Sequence, residues 1–138
     1  MCVVNSSSVH LMTSRQTLLL ILLPMAGTFA VLRLYLHFVQ VQHVYPGGHL
    51  VHHLFTGTLV LIPAAFILAF GAKWRMTAIL ARVAVGIGSG LILDELTFLV
   101  MTEAADYDYV SGISLWGGAG FTAVAALLLW GLHWRHRR

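Results

Sequence analysis

Charge is what this sequence has least of. Only 9% of its 138 residues are Asp, Glu, Lys or Arg, eight basic and five acidic. A soluble domain carries about 25%. Apolar residues make up 59% of the chain and the mean hydropathy is +0.85. So few charges exclude a soluble globular enzyme, a disordered chain and a nucleic-acid module, whose partner demands clustered cations. One cysteine, Cys2, rules out an intramolecular disulfide and carries no signal about redox compartment. No internal repeat is visible. Length is short as well. A bilayer span takes about 20 apolar residues, so four spans with turns leave no room for a soluble catalytic domain.

What is present is a set of apolar runs. A polar, Ser-rich tail (1–15) precedes a single membrane domain (16–132), and a basic tail (133–138) follows it. Within the domain the runs predict spans over 16–41, 49–70, 76–101 and 110–132. Breakers separate them: Pro46-Gly47-Gly48, then Gly71 to Arg75, then an acidic loop with Glu103, Asp106 and Asp108. Cleavage of the first run after Ala30, as in a signal peptide, is the alternative reading of that segment. Arg15, Lys73, Arg75, Arg82, Arg135, Arg137 and Arg138 fall on one side of a four-span layout, and Arg33 alone falls toward the other. The positive-inside rule then puts both termini in the cytoplasm, with the protein in the inner membrane. The expected fold is an all-α, four-transmembrane-helix bundle with both ends inside.

The eight histidines outnumber the five acids, and here the sequence stops looking like a plain anchor. Span 2 opens with His49, His52 and His53. Span 3 carries Asp94 and Glu95, and span 1 carries Arg33 and His37. Ionisable residues inside spans are costly and mark a function by default. At about 1.5 Å rise per residue, Arg33 and the two carboxylates lie at similar depths below the outer ends of their spans, near the histidines. Spacing of four puts His49, His53 and Gly57 on one helix face, and Gly86, Gly90 and Asp94 on another. These two glycine-bearing faces are expected to meet.

His nitrogens with carboxylate oxygens suit Zn, Fe or Mn. His49, His52, His53, Asp94 and Glu95 are the candidate ligands. If an enzyme is built here, metal-assisted hydrolysis of a membrane-embedded substrate fits, with Glu95 as base and Arg33 holding an anionic group. Two other readings stay open. One is an ion pair of Arg33 with Asp94 or Glu95 inside a polar network, in a non-catalytic accessory or structural subunit. The other is a haem b bound between His37 and His52 or His53. Partners beyond membrane lipids would be a second copy or a larger membrane protein, met through the glycine faces; no nucleic acid is expected. Gly86-x-Gly88 lacks the third glycine and the strand of a dinucleotide motif, and Ser111 and Ser114 lack a His–Asp partner by pattern.

The His52-His53 pair together with GIGSGLILDE at 86–95 resembles small four-span bacterial and archaeal membrane proteins of unknown function. These carry His-His near one span and Gly-x-Gly-x-Gly-Leu-x-x-Asp-Glu in the next. The resemblance covers residues 49 to 112. It implies architecture and singles out His52, His53, Asp94 and Glu95.

Overall fold

A computed structural model of the chain describes residues 12–39, 52–72, 74–102 and 106–135. Its elements are α1 (Ser14–Phe38), α2 (His53–Ala69), α3 (Arg75–Met101), the single turn α4 (Asp106–Tyr109) and α5 (Gly112–Arg135). The described residues form no strand.

Local chemistry sets several helix ends. Thr13 caps α1: its hydroxyl accepts from the Gln16 amide at 3.2 Å, and the Gln16 side chain accepts from the Thr13 amide at 3.1 Å. This reciprocal box satisfies two donors that a helix start leaves orphaned. Between α2 and α3 the chain turns at Gly71, whose φ of +85° is left-handed and favours glycine. Pro24 and Pro63 lie inside α1 and α2 without ending them, as apolar spans tolerate when neighbouring helices pack against the gap.

The helices α1, α3 and α5 have 25, 27 and 24 residues, long and apolar enough to cross a membrane. The expected second span is shorter than its apolar run. It begins at His53, not at His49, and its 17 residues reach only about 26 Å against a hydrocarbon core of about 30 Å. His52 occupies the position before its first turn, so His52 and His53 stand at the mouth of α2 and not a turn inside it.

The centre of the bundle is α3, which packs on α1, α2 and α5, while α1 also packs on α5. Glycine makes this possible, but not in the expected pairing. A Cβ on Gly57 would stand 2.7 Å from the Gly88 carbonyl oxygen, and one on Gly88 would stand 2.7 Å from that of Gly57. Gly86 and Gly90 instead press on α1, against the Ile21 and Met25 carbonyls. The reason is angular. Two residues turn a helix by about 200°, so GIGSG notches α3 on two nearly opposite faces. Gly117 and Gly118 do the same work on α5, against Thr97 and Phe29. Outward-facing side chains such as Leu23, Leu59, Trp116 and Leu127 are apolar and more than half exposed.

Candidate functional site

The two notched faces of α3 carry the two carboxylates to different helices. Asp94 shares a face with Gly86 and Gly90, and so reaches α1. Glu95 lies seven residues after Gly88, on the face that meets α2. Both are buried, at 0% and 1% exposure. A buried charge is tolerated only when paired and hydrogen-bonded, and each carboxylate is.

Arg33 supplies the partner of Asp94. Its Nε donates to Asp94 Oδ1 at 2.5 Å. One terminal nitrogen donates to the Tyr109 carbonyl at 2.7 Å. The other reaches the Asp94 carbonyl at 2.9 Å, the Ser114 carbonyl at 3.2 Å and the Ser114 hydroxyl at 3.1 Å. The guanidinium therefore joins α1 to α3, α4 and α5. Its carbon also lies 4.8 Å from the centre of the Tyr109 ring and 5.6 Å from that of Phe29, within cation–π range.

Glu95 is held from α2. Its Oε2 accepts from the Leu54 amide at 2.5 Å, and its Oε1 is bonded by His52 Nδ1. Leu54 is the second residue of α2, and its amide is one of the donors a helix start leaves unpaired. No side chain of α2 caps it, so Glu95 does so from the neighbouring helix. Its negative charge there also suits the positive end of the helix dipole.

His53 bridges the two halves. Its Nε2 lies 3.1 Å from Asp94 Oδ2 and 2.8 Å from the Tyr109 hydroxyl, and its Nδ1 lies 3.5 Å from Glu95 Oε2. Tyr109 donates its hydroxyl to Asp94 Oδ2. Burial, and then the Asp94 carboxylate beside it, push the Tyr109 phenol well above its usual 10.0. Ring contacts with His53 at 5.6 Å and with Phe98 at 5.0 Å close the cluster. The side chains of His52 and His53 keep 23% and 26% exposure and form its rim.

Of the residues singled out by sequence, the structure brings together Arg33, His52, His53, Asp94 and Glu95. His49 lies outside the described residues. His37 is exposed, its ring edge-on to Phe38, and is not part of the cluster. Tyr109 and Ser114 were not anticipated. An aromatic at a span edge reads as an interfacial anchor, and nothing in the sequence marks Tyr109 as 5% exposed. Among the described residues, no three or more His, Cys, Asp or Glu side chains are placed to hold a metal ion.

The chain matches no family model, no curated protein and no solved structure.

What the cluster can do chemically follows from its partners. It holds one full ion pair, three His–carboxylate contacts and a phenol whose burial favours its protonated form. It can lock helices at fixed register, and it can share protons among His53, Tyr109 and the carboxylates.

Proposed function

We propose that the chain is a small four-span protein of the inner membrane, both termini cytoplasmic, that serves as a non-catalytic accessory subunit. In this reading the polar cluster fastens the bundle and is not a reaction centre. Arg33 carries it. Each of the three guanidinium nitrogens donates to a protein oxygen, which disfavours a role in holding an anionic substrate group. Glu95 is likewise engaged at both oxygens and buried, which disfavours a role as a general base. Gly27, Gly120 and Gly131 have nothing within 4 Å of where a Cβ would stand. That leaves room for the helix of a larger membrane protein or a second copy.

The test is a pair of variants unfolded in detergent. Arg33→Leu strands a buried carboxylate, and stability falls by about 3–5 kcal/mol. Arg33→Leu with Asp94→Leu recovers most of that loss, because replacing both members of a buried pair by apolar residues is often near neutral. An Arg33→Leu protein as stable as the parent removes the fastening role. Purification in a mild detergent is expected to retain a fixed membrane partner.

A second reading is favoured by the His–carboxylate contacts. Metal-binding histidines commonly give their second ring nitrogen to a carboxylate. Glu95 engages His52 Nδ1 and Asp94 engages His53 Nε2, so the ligand atoms would be His52 Nε2 and His53 Nδ1, the latter 3.5 Å from Glu95 Oε2. The described residues thus fall short of the three protein ligands of a catalytic zinc, and His49 is the candidate for the third. A bound Zn, Fe or Mn would supply an activated water to a membrane hydrolase. Elemental analysis decides it: near-stoichiometric metal that is lost in His53→Ala/Glu95→Ala supports this reading, and folded protein without metal removes it.

A further inference from the structure

Among the described residues Arg82 has no ion pair. It is the eighth residue of α3, and Asp94 lies twelve positions further on, about 18 Å along the helix. The other four acids follow Asp94 in the sequence. Among the described residues, the one hydrogen bond of Arg82 goes from its Nη1 to the Ala78 carbonyl of its own helix, at 2.8 Å. That contact draws the guanidinium back toward Arg75 and the basic end of the bundle. A long cationic side chain near a span end behaves so when it lays its stem on apolar surface and carries its charge to the interface. An intramembrane cation without a partner calls for an anion.

The apolar surface beside it is a cavity. On the cluster side of Arg82 a space of about 370 Å³ opens among all four long helices, with Met25, Leu61, Ile92, Ala125 and Leu129 in its walls and Ser89 as their one polar side chain. Its volume is that of a small-molecule pocket. Arg82, Val85, Ser89 and Ile92 recur at helical spacing on one face of α3. The cation thus stands at the end of the stripe that lines the cavity. At the same end His133, next to the lining residue Leu132, is 8% exposed, and its Nδ1 has no partner among the described residues.

We propose that this cavity binds one anionic phospholipid from the leaflet at the basic end, with an acyl chain in the cavity and the phosphate against Arg82. Charge complementarity selects this occupant. A second copy would bring its own Arg82, Arg75 and Arg135, with no Asp or Glu among the described residues at that end. A zwitterionic lipid carries a cation of its own into the same field. A free inorganic anion leaves the apolar walls uncovered.

The experiment is native mass spectrometry of the full chain in detergent, titrated with phosphatidylglycerol or phosphatidylcholine. One phosphatidylglycerol is expected to bind in preference to phosphatidylcholine. Arg82→Gln lowers that preference about fivefold, the contribution of one basic residue near an anionic surface. Ala125→Phe, or Leu129→Phe if the first variant does not fold, fills the cavity and removes binding while Arg82 remains. Equal binding of the two lipids overturns the proposal. So does a preference unchanged in Arg82→Gln, lipid bound as before in a folded cavity-filled variant, or displacement of the lipid by inorganic phosphate.

Discussion

Tyr109 shows how much a single residue can depend on its surroundings. Its hydroxyl serves Asp94 and meets His53, its carbonyl takes a bond from Arg33, and its ring lies under the same guanidinium. Tyr109→Phe keeps the ring and removes one donor from a buried carboxylate. The expected loss is about 1–3 kcal/mol, read by unfolding in detergent, and a silent variant would show that the hydroxyl is dispensable. The phenol also has a pH signature. Its pKa is raised on folding, by burial first and then by Asp94. The folded state therefore holds its proton where the unfolded chain releases it. The stabilisation is present in full below the ordinary value of 10.0, and stability falls as pH rises past it. Alkaline titration of the phenolate absorbance is expected to leave one of the four tyrosines un-ionised until the protein unfolds. All four ionising together while the fold persists would contradict this. None of it was legible at the level of the residue, because the sequence offers Tyr45, Tyr107 and Tyr109 as equivalent aromatics flanking apolar runs.

Among the elements, α3 was the most legible and α2 the least. The pattern GIGSGLILDE holds the whole register of the central helix. Gly86, Gly90 and Asp94 form one face, and Gly88 with Glu95 forms another. Spacing alone therefore separates the two carboxylates, although pairing the first face with Gly57 assigned it to the wrong neighbour. The start of α2 was not legible, because its cap is not local. Hydrophobicity continues up to His49, but the helix begins where Glu95 of α3 can receive the Leu54 amide. Glu95→Ala is expected to fray the first turn of α2 at a cost of about 1 kcal/mol, as the loss of a helix cap does. Hydrogen exchange at the Leu54 amide should rise while exchange in the middle of α2 stays unchanged. Equal exchange in parent and variant would rule out the capping role.

For the whole molecule, class was settled by composition, since a chain with 9% charge can satisfy its backbone in an apolar medium only as helices or a closed barrel. Apolar runs of about 20 residues between breakers then select helices. The orientation rests on the basic residues and has a direct test. With Cys2 replaced, Ala72→Cys should react with an impermeant thiol reagent only in inverted vesicles, and Val110→Cys only in right-side-out ones. The opposite pattern, or both sites reacting from one side, would sink the four-span layout. Composition, apolar runs and glycine spacing thus foretell an all-helical chain and closely packed helices, because each depends on residues near one another in the chain. Which carboxylate meets Arg33, which one caps α2, and that Tyr109 and Ser114 join them emerge only from the packed bundle. Those partners stand between 15 and 81 positions apart. Their choice follows the angles at which α3 presents its notches, and helices packed in three dimensions fix those angles.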